Sequence, residues 1–265
     1  MHMVVALLAG ALIGLSLGAL GGGGSILAVP VLVFGLDQTA QQATTGSLVV
    51  VGVSALTGLL AARRQGTVLV SRGLGFAAVA VGGAVVGAHA SARVPDQVLL
   101  GAFSVLMLVV ATLMAVRQAR RRDGGDPAGV LEPVVAFRPF RCACPQALRI
   151  AVTATAVGLL TGFLGVGGGF LVVPALVLVL GLPLRQAAAT SLVVIAVTTA
   201  VALGVRAGSG VHPDWGLVLL LTAASAVGSL LGTRVATRIG THRLGQAFTG
   251  LVVVVAVGTA AAALT

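Results

Sequence analysis

Uncharged apolar runs, each closed by Gly, Pro, Arg or a short polar turn, occupy most of the chain. They fall at 3–20, 24–36, 43–62, 72–92 and 97–117, and after a polar stretch at 147–165, 168–182, 187–205, 215–235 and 244–264. Most have the length an α-helix needs to cross a hydrocarbon core of about 30 Å. The pattern predicts an all-α integral membrane protein of ten segments, five and five. The second run of each half stands apart, because the 13 residues of 24–36 make only about 20 Å of helix. A helix that short begins or stops inside the membrane, where irregular backbone is tolerated only if it is buried or lines a polar cavity.

The restart after the polar stretch is a repeat in the residues themselves. Gly18 to Pro30 lies over Gly162 to Pro174 at a constant offset of 144, and the register continues through Gln42/Gln186, Ala43/Ala187 and Ser47/Ser191. Residues 18–50 match 162–194 at 17 of 33 positions without a gap, which points to an ancestral duplication. Later runs agree more loosely, with Gly83 and Gly87 over Gly228 and Gly232. Residues 1–120 read as a first membrane repeat, 121–145 as a basic linker and 146–265 as a second membrane repeat.

Composition agrees with a bilayer environment. The 265 residues are 58% hydrophobic and 8% charged, with a mean hydropathy of +1.13, and a soluble fold is excluded. The basic side chains are all Arg and give a formal charge of +10. With no Tyr and one Trp, they do not read as a nucleic-acid face. They are better read as topology marks. Ten crossings with both termini outside put every Arg except Arg93 and Arg206 on the inner side. An odd number of crossings per half makes the two repeats inverted. Eight crossings, with the second segment of each half re-entrant, split the arginines less cleanly, 11 against 5, and remain the alternative. No Arg precedes Arg63, so residues 3–20 read as a retained helix rather than a secretory signal. The expected location is the cell's inner (plasma) membrane with the linker cytoplasmic, where its basic run serves as a solvated inside marker or rests on anionic headgroups.

Candidate chemistry gathers at the breaks. Gly21, Gly22, Gly23, Gly24 and Ser25, and in the second copy Gly165, Gly167, Gly168 and Gly169, are where helix continuity is expected to fail, since Gly permits positive φ and close approach of a ligand. Each break exposes the unpaired N–H groups and partial positive charge of a helix start, so two converging starts form an anion site without a charged side chain. Packing of glycine against a neighbouring helix is the other reading, and the one preferred for Gly83, Gly87, Gly228 and Gly232. Gln42, Thr44, Thr45 and Ser47, with Gln186, Thr190 and Ser191, open the third run of each half. They are read equally as helix caps and as caps that also contact substrate. Pro30 and Pro174 are expected to bend or end the short helices.

All six acids, Asp37, Asp96, Asp123, Asp126, Glu132 and Asp214, fall in loops or at boundaries, so no carboxylate is expected at depth to bind a cation or relay a proton. His89 reads as an interfacial or packed residue. No catalytic set or metal-ligand cluster stands out, so neither an enzyme nor a cofactor or metal is expected. Cys142 and Cys144 are too few for a structural zinc site and read as free thiols in the linker.

The doubled Gly-x-Gly-Gly-Gly, Val-Pro and Ala-x-x-Thr-Ser-Leu pattern, most specific at Gly165–Pro174 and Ala187–Leu192, resembles the TauE/SafE sulfite exporter family of membrane permeases, also called TSUP or DUF81. The first copy departs from it with Gly46 before Ser47. The resemblance implies transport of sulfite or another small organosulfur anion. Taken with the helix breaks, it gives as first expectation a permease for a small sulfur-containing anion working by alternating access, with the anion and the bilayer as its partners. The alternative is a membrane redox conduit or assembly factor, which would want cysteines at membrane depth.

Overall fold

The computed structural model describes residues 2–66, 68–91, 94–95, 98, 101–102, 105–110, 112, 144–164, 169–206, 213–238, 246–247, 250 and 253–254. Helices α1 (His2–Leu20), α2 (Gly23–Pro30), α3 (Ala40–Arg63) and α4 (Val70–Ser91) belong to the first half, and α5 (Cys144–Leu164), α6 (Gly169–Val179), α7 (Leu184–Arg206) and α8 (Trp215–Arg238) to the second. They match the sequence runs to within a few residues. Most of 97–117 and 244–264, residues 121–143 of the linker, and Gly165, Gly167 and Gly168 lie outside the described residues, and Cys144 and Pro145 open α5 rather than ending the linker. Among the described residues five helices are long and apolar enough to span a membrane, those of Met3–Leu20, Ala40–Arg63, Val70–Ser91, Leu184–Arg206 and Trp215–Ala236.

The chemistry at helix starts is local. Thr39 and Gln42 close a capping box on α3, with the Gln42 N–H donating to Thr39 Oγ1 and the Thr39 N–H to Gln42 Oε1. This satisfies two backbone donors that the first turn cannot pair. Asp214 does the same for α8 by accepting from the N–H groups of Gly216 and Leu217. The two caps put Gln42 and Asp214 at element boundaries.

Helices pack through small residues, as expected where lipid tails compete with apolar side chains for contact. Gly14 and Gly18 of α1 lie against the Ser225 and Ser229 backbone of α8, and Gly232 answers against Leu15. The same arrangement recurs between α5 and α4, with Gly158 and Gly162 against Ala80 and Ala84, and Gly83 and Gly87 against Thr155 and Leu159. A Cβ at any of these glycines would overlap the facing backbone or come well inside contact distance. The first helix of each half therefore packs on the fourth helix of the other half. Leu8, Leu60, Val86, Val152, Leu219 and Val227 point outward, toward what a bilayer would supply.

Pairing fixes the helix directions. α3 and α7 are antiparallel, with Gly52 opposite Thr199 and Gly58 opposite Leu192. α8 runs parallel to α3, since Ser54 Oγ donates to Ser225 Oγ at 2.7 Å and Gln65 Nε2 reaches the Thr233 carbonyl at 3.5 Å. One end of the bundle thus holds Leu20, Arg63, Val70, Cys144, Leu184 and Arg238, and the opposite end holds His2, Ala40, Ser91, Leu164, Arg206 and Trp215. Of the arginines whose side chains are described, Arg63, Arg64, Arg72, Arg185, Arg234 and Arg238 belong to the first end and only Arg206 to the second.

α1 and α3 both run toward the arginine-rich end, so the chain between them must travel back. Gly24 of α2 lies against Ile13 and Leu17, and Gly35 sits 3.7 Å from Val5 Cγ1 measured from an added Cβ. The return uses α2 and a π-helical turn, Val31–Gly35, that follows Pro30. Pro30 lacks the N–H that would continue the ladder, a common cause of such an irregularity. Pro174, by contrast, lies within α6.

Candidate substrate site

The first break is real. Gly21 takes φ 73, a left-handed conformation that a side chain would strain, and Gly22 (φ −143) starts α2 without a side-chain cap. Ser25 turns its hydroxyl back on the Gly22 carbonyl at 2.7 Å. Gly23 and Gly24 form the first turn of α2, and all three residues are buried.

The start of α6 meets the first break. A Cβ on Gly22 would overlap the Gly169 backbone, and one on Gly169, the first residue of α6, would lie 2.9 Å from Gly22 Cα and 3.0 Å from Ser25 Oγ. The starts of α2 and α6 therefore abut inside the bundle, and their glycines serve close packing as well as chain reversal. Gly21 is likewise pressed against the Ala188 backbone of α7.

The polar helix starts divide between capping and bridging. Gln42 spends its amide on the capping box, and Gln186 is exposed. The Thr44 and Thr45 hydroxyls both donate to the Gln41 carbonyl, and Ser47 Oγ donates to that of Thr44. Thr190 Oγ1 accepts from the Leu69 N–H at 3.2 Å. Ser191 Oγ lies 2.7 Å from the Ala188 carbonyl and 3.1 Å from that of Gly21, tying the second half to the first break. Thr44, Thr45, Ser47, Thr190 and Ser191 are all buried.

Two residues that the sequence reading passed over complete the picture. Arg206, expected at a loop boundary, is only 6% exposed and spans four helices. Its Nη1 donates to Thr44 Oγ1 at 2.9 Å, and its Nη2 donates to Ser91 Oγ and to the carbonyls of Gly162 and Phe163. It is the one charged side chain buried among the described residues. A guanidinium thus stands on the same Thr44 that opens α3, beside helix starts whose glycine pattern contains no charged side chain. Gln38 is also buried, and neither of its amide atoms has a hydrogen-bond partner among the described residues. An added Cβ on Gly46 would press on Val218 Cγ2 at 2.9 Å and lie in ordinary contact with Gln38 Oε1 at 3.8 Å.

At the arginine-rich end a small recess of about 30 Å³ is lined by Gly18 and Ala19 of α1, Ala62 and Gln65 at the end of α3, Arg185, Ala188, Ala189 and Leu192 of α7, and Thr233 and Ala236 of α8. Ala188 both lines the recess and packs against Gly21.

Helix starts abutting within a bundle of apolar spans, beside buried hydroxyls and a buried cation, fit the multi-pass membrane transporter that the chain's sequence relatives indicate. The chain is a member of the sulfite exporter TauE/SafE family, whose sequence profile matches residues 6–259. It is similar to a probable membrane transporter protein of Xylella fastidiosa (strain 9a5c), with 31% identity across 96% of this chain and 94% of that protein. A second relative, the probable membrane transporter protein YunE of Bacillus subtilis, is 27% identical across 92% of each chain. No solved structure gives a significant match.

Proposed function

We propose that this transporter carries a small sulfur-containing anion, such as sulfite or an organosulfonate, by alternating access between two inverted halves, 1–120 and 146–265, joined by a cytoplasmic linker at 121–145. One observation carries the choice of an anion: the charge buried in the bundle is the Arg206 guanidinium, and no carboxylate is buried among the described residues. Burying an ion in a membrane protein is costly, and such ions mark substrate pathways. A guanidinium also matches the oxygens of an oxyanion through paired N–H donors.

Two further features support the reading. The starts of α2 and α6 bring their partial positive charges together at Gly22 and Gly169. Opposed directions of α1 and α5, one running toward the arginine-rich end and one away from it, suit halves that rock against each other. In this reading backbone N–H groups of the two glycine runs, Gly22–Gly24 and Gly165, Gly167, Gly168 and Gly169, replace part of the anion's hydration, while the Gly21 N–H is already bonded to the Leu17 carbonyl at 2.8 Å. Hydroxyls of Ser25, Thr44, Thr45, Ser47, Thr190 and Ser191 orient it, with Gln42 and Gln186 at the helix starts on either side. The arginine-rich end faces the cytoplasm under the positive-inside rule, and the membrane is the inner one.

The test is efflux of radiolabelled sulfite from a sulfite-sensitive bacterial host expressing the protein. Efflux above the empty-vector rate supports the reading. Efflux equal to that control, with the protein present in the membrane, rejects sulfite as substrate.

A further inference from the structure

The repeat offers a comparison that neither half offers alone. At the offset of 144, Gly18, Ala19, Ala62 and Ala188 correspond to Gly162, Phe163, Arg206 and Thr44, and at the offset of 145 that aligns Gly228 and Gly232 with Gly83 and Gly87, Ala236 corresponds to Ser91. Gly18, Ala19, Ala62, Ala188 and Ala236 line the recess at the arginine-rich end. Their counterparts are Arg206 and its four partners, Thr44, Ser91, Gly162 and Phe163.

The same vestibule is therefore built twice, once at each end of the bundle. In one copy position 62 is Ala and the space is open. In the other the equivalent position is Arg206, whose side chain fills the space and hydrogen-bonds its walls on α3, α4 and α5. Leu48 and Ala88, the counterparts of Leu192 and Thr233, are 1% exposed behind it.

We propose that Arg206 is the gate of a second substrate vestibule at the end opposite the arginine-rich one. Among the described residues the recess persists at the arginine-rich end while Arg206 fills its counterpart, and access from that second end requires the guanidinium to leave Thr44, Ser91 and the two carbonyls. The proposal rests on the transporter reading given above, and it adds the position of the gate. A guanidinium suits the task because its N–H groups hold several walls at once, and on withdrawal it offers those same donors to an incoming anion. Only one of the two equivalent positions carries the plug, so opening the two ends is energetically unequal, and a single side chain sets the bias.

Accessibility to a maleimide tests the gate without any substrate. Single-cysteine proteins are made on a Cys142→Ser, Cys144→Ser background and labelled in nanodiscs, where the reagent reaches both ends. Ala236→Cys, in the open recess, labels fast, and Ala88→Cys, behind Arg206, labels slowly. Adding Arg206→Ala, which copies the open vestibule, raises the Ala88→Cys rate about tenfold or more, as expected when a closed state loses its main restraint, and leaves Ala236→Cys unchanged. An unaltered Ala88→Cys rate, with Ala236→Cys still reactive, overturns the proposal. Should Arg206→Ala fail to fold, Ala62→Arg decides: it plugs the open recess and protects Ala236→Cys, and full reactivity there overturns the proposal. Because labelling involves no transported ion, a protein that passes this test but moves no sulfite loses the substrate reading and keeps the gate. One that moves sulfite with an unaltered Ala88→Cys rate loses the gate alone.

Discussion

The Ser191 hydroxyl lies 3.1 Å from the carbonyl of Gly21, joining the first turns of α7 to the residue at which α1 breaks. It is a bond between the two halves of the chain, buried at both ends. Ser191→Ala removes the donor and leaves the broken backbone less firmly held. The one hydroxyl proton is shared with the Ala188 carbonyl at 2.7 Å, and hydrogen bonds within membranes contribute about 0.6–2 kcal/mol, so the variant should lose stability toward the low end of that range and unfold in detergent at a lower temperature. An unchanged melting temperature would show that the contact is not formed in the folded protein.

Close helix approach gives a sharper contrast. Gly14 faces the Ser225 backbone with no room for a Cβ, whereas Gly82 has open space around the same position. Gly14→Ala forces α1 and α8 apart and should cost about 1–3 kcal/mol, the usual range for overpacking. Gly82→Ala should be neutral or stabilising by up to about 1 kcal/mol from helix propensity. Thermal unfolding of the pair checks both signs, and equal behaviour of the two would contradict the helix packing described.

Gln38 makes the opposite prediction. Its buried amide lacks partners among the described residues, and the equivalent position in the second half is Leu182. Both residues sit in the same turn, with the Gln38 N–H bonded to the Leu32 carbonyl and that of Leu182 to Leu176. Gln38→Leu should therefore stabilise the fold, by about 1–3 kcal/mol, the desolvation cost of an unpaired amide. A lower melting temperature would mean that the amide is satisfied by a group outside the described residues.

Much of the fold was legible in the sequence because membrane helices announce themselves by length and apolarity, and the duplication repeats its glycines in register. The break at Gly21–Gly24 could be read because four consecutive glycines oppose continuous helix, and Gln42 could be read as a cap because it stands three residues after Thr39. Arg206 could not. At the end of an apolar run it looks like any boundary arginine, and only the pairing of α7 with α3, α4 and α5 turns its side chain inward. One signal was present: in the 144-residue register Arg206 falls over Ala62, an exchange of a small apolar residue for a charge at the end of a membrane helix. The abutment of Gly22 on Gly169 was equally invisible, since sequence indicates where a helix breaks but not what the break faces.

The vestibule at the arginine-rich end yields a fourth prediction. Leu192 lies beside Ala188 and Ala189 in its wall, and Ala189→Trp would fill much of the space between α7 and α8. Transport should then fall by about tenfold or more, as for other blocked routes that raise a barrier by over 1.4 kcal/mol, with overpacking at the buried Ala189 costing about 1–3 kcal/mol of stability. Full transport in that variant would place the route elsewhere.

The most direct test of anion transport is the flux of radiolabelled sulfite into proteoliposomes holding either the unaltered protein or Arg206→Ala, each reconstituted at equal density. Protein-dependent flux that competes with unlabelled sulfite, and that falls by about tenfold or more once the buried cation is gone, is the predicted result. Flux equal in the two preparations, or no greater than in empty liposomes, would contradict it.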